Sequence, residues 1–319
     1  MKKSIFAFAA ALAALVACNK NDVAPMQPQN QESLVPCELT VGICGAMTKA
    51  TAVSADNEAK VNNLQVFVFR GDDLDAYASV DNAQELTLSC TAGDRVVYAL
   101  VNAPDYSAVP GKAALLANVS ELSANSLTNF EMVGSKSVTL PQSEKVSIDV
   151  NRIASRVVLK KITRSFTSEA LQALNFKVDA IYLINVAGNT SYDLSAAPAK
   201  WYNVAENKNE LASLLYDAPA SLITNGQSYS TAHTFYAYPN DLATNTTRLV
   251  IETTLGETKY YYPINLPEMA ANKSYEIEEV KITRPGSDNP DEPVSFADAT
   301  FSINVIDWTV VPVTEGTTI

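Results

Sequence analysis

Short runs of alternating apolar and polar residues recur from residue 37 to residue 310, separated by turn-forming clusters. That period-two pattern is the mark of half-buried β-strands. "CELTVGIC" (37–44) puts Leu39, Val41 and Ile43 on one face and Glu38, Thr40 and Gly42 on the other. "VNNLQVFVF" (61–69), ending at "RGDD", "QELTLSC" (84–90), ending at "TAGD", and "RVVYALVNAP" (95–104) repeat it. "KSVTL" and "KVSIDV" flank "PQSE", which predicts a hairpin. "NRIASRVVLKKI" (151–162) marks the middle of the chain, a strand with Arg152 and Arg156 near its start. Later strands are expected at 175–186, 233–240, 247–255, 258–266 and 273–285, with "TLGETK" as a hairpin turn. Helical spacing is confined to "KAALLANVSELSAN" and part of 205–225. No segment alternates strand and helix as a βαβ fold requires. The pattern therefore predicts an all-β protein in two parts with minor helices, and 319 residues are enough for two domains.

Both ends of the chain depart from this pattern. Lys2 and Lys3 precede an apolar run of 13 residues that stops at "LVAC". The run is short for a bilayer span and right for a signal peptide over 1–17. The Leu-x-Ala-Cys ending is a lipobox, which predicts lipidation of Cys18 and attachment to a membrane through it, in preference to a plain secretory signal with an incidental cysteine. Residues 19–36 are polar and proline-bearing and read as a tether. At the other end, 286–299 has linker composition, and "TFSINVIDWTVVPVTEGTTI" follows it. Phe301, Ile303 and Val305 alternate on one face, and the phase slips before Trp308 and Val310. Two short strands, or one with a bulge, are expected there, outside the second domain.

The sequence offers little for catalysis or cofactor binding. One histidine, His233, cannot make a zinc motif, and no glycine-rich phosphate loop or nucleophile elbow is present. No cysteine pair has CxxC spacing, so neither a metal nor a redox centre is expected. Cys37 and Cys44 are an odd number apart, on opposite faces of one strand, and the three cysteines after Cys18 leave at least one free thiol. Acidic clusters at 71–75 and 287–292 lack the calcium-loop pattern and read as solvated turns. Trp201, Tyr202 and "KYYYP" read as packed strand aromatics more readily than as a sugar platform. A net charge of −12 argues against a nucleic-acid partner. The expectation is a non-enzymatic protein with no metal and no cofactor.

Several of these segments, in order, resemble the fimbrillins of Bacteroidales, the subunits of type V pili. "LVACNKND" is similar to the lipoprotein start of their precursors. "NEAKVNNLQVFVF", "RVVYALVNAP" and "NRIASRVVLKKI" resemble the first mature strand, the "-ANAP"-like strand and the strand opening the second domain. "TFYAYPN" and "ITRPG…INVIDWTVV" resemble the late second domain and the C-terminal extension. The resemblance implies two transthyretin-like β-sandwich domains, 50–150 and 151–285. It also implies a tether and propeptide strand over 18–49 and a linker with donor strands over 286–319.

By position, Lys49 and Ala50 match the family's cleavage site, cut by a trypsin-like protease. The propeptide strand carrying Leu39, Val41 and Ile43 is then lost. A neighbour's donor strand (Phe301, Ile303, Val305, Trp308, Val310) takes its slot, giving a head-to-tail polymer of identical subunits. The best-known members are cut after arginine, and no arginine precedes Arg70 here, so Lys60 is the fallback. Release of the strand also requires that Cys44 not be bonded to Cys90. The implied partners are identical subunits, the protease, tip and anchor fimbrillins and a host ligand. The implied location is the outer membrane, then the surface fimbrium. A tip or minor adhesin, and a glycan-binding surface lipoprotein, are the alternatives.

Overall fold

The longer strands of the described residues assemble into four main sheets, with two further two-stranded pairs. The computed structural model describes residues 34–44, 55–204, 207–243, 245–292 and 298–308. In chain order the main strands are β1 (Pro36–Cys44), β2 (Asn63–Arg70), β3 (Asp73–Asp81), β4 (Glu85–Thr91) and β5 (Gly93–Val101). Then come β6 (Met132–Leu140), β7 (Val146–Asp149), β8 (Ser155–Leu159), β9 (Ile162–Arg164) and β10 (Phe176–Ile184). The last five are β11 (His233–Ala237), β12 (Arg248–Leu255), β13 (Thr258–Asn265), β14 (Lys273–Ile282) and β15 (Ala299–Asp307). Among the described residues the helices are short, of about one turn, and include α1 (Ala55–Glu58) and α2 (Lys112–Leu116). The all-β expectation holds.

Two sheets come from the first half of the chain. One has the order β4-β1-β7, and the other runs β3-β2-β5-β6 with Asn151–Arg152 on its far edge. The second half builds a sheet in which β14 pairs in parallel with both β8 and β9 along one edge. It also builds a sheet in which β10, β12 and β13 lie side by side. Val66, Val68, Val97 and Ala99 from one first-half sheet and Leu39, Val41, Val146 and Ile148 from the other are buried in a shared core. That core continues into Val157, Ile181, Ile251 and Ile277 of the second half.

Three local expectations need correction. Residues 136–150 do not form a hairpin. β6 stays with β5, while β7 crosses to the other sheet and pairs in parallel with β1. Gly134 makes the crossing tight, since a Cβ there would lie 2.1 Å from the Asp149 carbonyl oxygen. The strand read as continuous over 151–162 is broken into pieces that serve different sheets. The C-terminal segment does have a place within the chain. β15 pairs antiparallel with the free edge of β14 along its whole length. The irregularity lies in β14, where Glu278 and Glu279 face the single residue Ser302. By contrast, "TLGETK" is the expected hairpin, with Leu255 opposite Thr258 and Gly256 at φ +64°.

The acidic run at 71–75 is a hairpin turn leading into β3. Its Asp75 is committed to a buried ion pair with Arg95, Oδ2 to Nε 2.9 Å. Asp75 also accepts from the Thr91 amide (3.0 Å) and hydroxyl (2.7 Å), so it fixes the end of β4 to β3 and β5. Burial works against the charge, but the bonds from Thr91 and Arg95 outweigh it and hold the carboxyl below its ordinary 3.8. Such a group adds stability that is complete above the ordinary value and is lost as pH falls through the lowered one. Asp75→Asn is expected to cost about 3 kcal/mol at pH 7 by urea denaturation, because it strands Arg95 in the interior. The gap between wild type and variant is expected to shrink on acidification below pH 4.

Candidate functional site

β1 is the centre of its sheet, so both of its edges carry hydrogen bonds. On one side its register with β4 runs from Pro36–Thr91 to Gly42–Glu85. On the other, Val41 to Cys44 pair in parallel with Val146 to Asp149. Leu39 and Val41 are fully buried and Ile43 partly so, as the alternation predicts. Each of the first two contributes about 1.5–3 kcal/mol of apolar burial. The other face is polar and thinly covered. Thr40 and Thr87 hydroxyls meet at 2.9 Å. The Lys145 side chain crosses over Gly42, where a Cβ would sit 2.9 Å from its Cδ, to reach Glu85 at 2.7 Å. This exposed pair bridges from the start of β7 to β4 over the strand between them, and is worth under about 1 kcal/mol.

The cysteines divide between the two ends of β1. Cys37 stands opposite Cys90, and Cys44 donates to Asp149 at 3.0 Å. Burial, that bond and the Asp149 charge push the Cys44 thiol up to about 11. Cys44 is thus held away from Cys90.

β15 is an edge strand held along one side. Ala299 is buried, Phe301 and Ile303 are half-buried, and Val305 and Ile306 are about half exposed, at 50% and 47%. Beyond it the chain turns inward. Trp308 is 1% exposed, its amide donates to the Asn272 carbonyl (2.9 Å), and its indole Nε1 donates to Glu58 (3.2 Å). Glu58, at the end of α1, is itself buried. Its carboxylate also accepts from Arg156 (3.0 Å) and Tyr236 (2.5 Å), and its carbonyl accepts from Arg152 (3.0 Å). The Arg152 guanidinium lies 4.5 Å from the Trp308 ring centre, and Phe130 and Tyr236 close the ring's other contacts. Burial pulls Arg152 down to about 10, with the Glu58 charge opposing and the Arg156 charge adding to it.

Of the residues singled out by sequence, Leu39, Val41, Ile43, Phe301, Ile303, Val305 and Trp308 are placed on these two strands and their end. Cys18, Lys49, Ala50 and Val310 lie outside the described residues. The two strands lie in different sheets: β1 fills a slot in the first half, while β15 pairs with β14 of the second and Trp308 beyond it reaches Glu58 and Phe130. Sequence reasoning missed Glu58, because nothing local announces that an acidic residue before a strand will be buried against arginines about a hundred residues away. His233 is buried beside Asp217, Nδ1 to Oδ2 2.7 Å, and stacks on Tyr229. Among the described residues no group of three or more His, Cys, Asp or Glu is placed to hold a metal. Tyr202 and Tyr262 are buried, so the aromatics named as a possible sugar platform do not form an exposed row.

The stretch that begins in β1 and ends in β8 is similar to a known family. Residues 38–157 match the major fimbrial subunit protein (FimA) family. The resemblance to fimbrillins read from the sequence is borne out. The fold agrees over most of the chain. A putative cell adhesion protein from Bacteroides eggerthii is 19% identical, with 89% of this chain and 100% of that one covered and a TM-score of 0.67. A fimbrilin from Porphyromonas gingivalis is 16% identical over 86% of this chain and 98% of that one, with a TM-score of 0.63. The tip fimbrial protein Mfa3 of Porphyromonas gingivalis shares the fold at 12% identity, covering 86% and 100%, with a TM-score of 0.55.

The different burial of the two ends gives a direct check. Trp308→Ala is expected to lower unfolding stability by about 3–5 kcal/mol. Val305→Ala, three residues earlier and half exposed, is expected to stay within about 0.5 kcal/mol of wild type. Paired urea titrations of the two variants measure both.

Proposed function

We propose that this chain is a stalk subunit of a surface fimbrium, made as an outer-membrane lipoprotein and polymerised by donor-strand exchange after proteolysis. The observation that carries the reading is the position of β1. Withdrawing a central strand leaves β4 and β7 with unpaired backbone groups and opens the slot that Leu39 and Val41 fill. Buried backbone groups without partners are costly, so the emptied slot favours a replacement strand. The last strand has matching chemistry: Phe301, Ile303 and Val305 repeat the i, i+2, i+4 spacing of Leu39, Val41 and Ile43. It is bound along one edge, so it has fewer ladder bonds to give up than β1. Exchange between copies is head-to-tail and does not close on itself, which yields a filament. For Trp308 to serve as a donor, its ring has to leave the Glu58 cluster.

The cluster also bears on where the chain is cut. A cut that releases β1 and keeps Glu58 in place has to fall between Cys44 and Glu58. Lys49 is the single basic residue in that interval, so Ala50 becomes the new N-terminus. A cut after Lys60 would carry Glu58 away and leave Arg156 and Tyr236 without that carboxylate. That argues against the fallback site. The fold shared with a tip fimbrial protein keeps a terminal subunit as the second reading; immunogold labelling at filament ends only would favour it.

Trypsin treatment of the purified precursor, followed by mass spectrometry of the N-terminus, is expected to give Ala50 and filaments. A uniformly uncut chain lipidated at Cys18 would overturn the reading. Removing residues 300–319 is expected to abolish filaments after the same cut, and normal filaments from that variant would sink the donor assignment.

A further inference from the structure

The register of β1 on β4 sets Cys37 directly opposite Cys90. Their Sγ atoms are 3.7 Å apart, with Cys90 buried and Cys37 half-buried. The bonds Ala92 N to Val35 O (2.8 Å) and Ile43 N to Gln84 O (2.9 Å) fix the phase of the ladder at both ends. Cys37 and Cys90 are therefore a hydrogen-bonded pair, a position with a Cα separation of about 5.5 Å. Disulfides span about 4.4–6.8 Å between Cα atoms, so the backbone is already within bonding range, and side-chain rotation with a slight closing of the ladder has to bring the sulfurs together.

We propose that Cys37 and Cys90 form a cross-strand disulfide that locks the first strand in its slot, so that a cut subunit cannot exchange strands until the bond is reduced. This rests on the reading of β1 as the strand that is displaced. The oxidant is a small-molecule or protein disulfide. The Cys37 thiolate attacks one of its sulfurs and the first external thiolate leaves. Cys90 then gives up its proton and attacks the Cys37 sulfur, and the second external thiolate departs. Two electrons pass from the cysteine pair to the external disulfide, and the protons from the two cysteines end on the two released thiols. Cys37 is the more accessible partner. Burial and the Cys37 contact push the Cys90 thiol up to about 12, so it is poorly suited to begin the exchange.

The bond would change the outcome of cleavage. Cys37 lies on the N-terminal side of Lys49, in the same segment as Cys18. An oxidised subunit cut at Lys49 would keep its strand, and with it the lipid anchor. The linked strand would be present at an effective concentration of millimolar order, which a free neighbour does not match. The lock is confined to the precursor. No cysteine follows Cys90, so a donor strand from another copy cannot make the same bond. Cys44 is engaged with Asp149 at the far end of the strand.

The test compares the full precursor, purified in detergent, after treatment with oxidised glutathione or with dithiothreitol. Each sample is cut with trypsin, mapped by non-reducing mass spectrometry and followed for filament growth. In the oxidised sample, the expected result is a peptide containing Cys37 linked to one containing Cys90, no filaments, and filaments once dithiothreitol is added. Cys37→Ser and Cys90→Ser are expected to grow filaments equally with and without oxidant, and Cys44→Ser to behave as wild type. An oxidised map without the Cys37–Cys90 link overturns the proposal. So do filaments that grow equally well from the linked protein. If the reduced wild type itself keeps its strand after the cut and forms no filament, the displacement reading fails and the lock fails with it. Arrest of the oxidised sample alone points to the lock.

Discussion

Glu58 ties together three parts of the chain that are far apart in sequence. The turn before β2, the arginines at the middle of the chain and the tryptophan after the last strand all meet at it. Burying a carboxylate beside guanidinium groups is not in itself a stabilising choice, because desolvation offsets much of the attraction. Here the arrangement is sustained by satisfaction of the oxygens. One accepts from Tyr236, and the other from Arg156 and the Trp308 indole. The Arg152 guanidinium uses the indole face and the Glu58 carbonyl. Removing any one member leaves the others buried with fewer partners, so α1, the middle of the chain and the residue after β15 stand or fall together.

That arrangement separates the segments tied by buried charge from β1, which is not. Everything from Glu58 onward that touches the cluster is anchored by charge and aromatic packing at once. β1, though central to its sheet, is held by ladder bonds, two buried aliphatic side chains and surface bonds from Thr40 and Cys44, with the Lys145–Glu85 pair passing over it. None of its side chains enters the buried polar networks that join the two halves of the chain. Those networks instead use Ser120, Asn125 and Glu131 with Tyr192 and Tyr238. The strand is therefore well seated through its backbone, yet it contributes no charged side chain to the interior.

Much of this was legible in the sequence, and the parts that were not share a cause. Period-two runs revealed the all-β fold, and the Leu39–Val41–Ile43 face was placed correctly because burial on one face leaves a local signature. The hairpin at Gly256 was legible for the same reason. β3 was passed over because "DLDAYASVD" carries the acidic residues that edge strands use against aggregation, and these look like a turn. Pairing partners leave no local trace. "PQSE" looks the same whether the next strand folds back on β6 or crosses to β1. Likewise, nothing in "INVIDWTVV" tells that its tryptophan is buried against residue 58.

The last strand shows how the fold reconciles two demands. An apolar strand carried free at the end of a chain would be a ready template for aggregation. Pairing it with the edge of β14 satisfies its backbone on one side and shields Phe301 and Ile303 in part, while Trp308 fastens its end. The far half of the strand stays exposed at Val305 and Ile306. Such a strand is protected in the monomer, but its apolar pattern is only partly used there. If β1 were displaced as proposed, a slot with two open edges would use more of that pattern than the edge of β14 does. Under the proposed exchange that preference would arise only once β1 had gone, because β1 is paired on both edges and β15 on one.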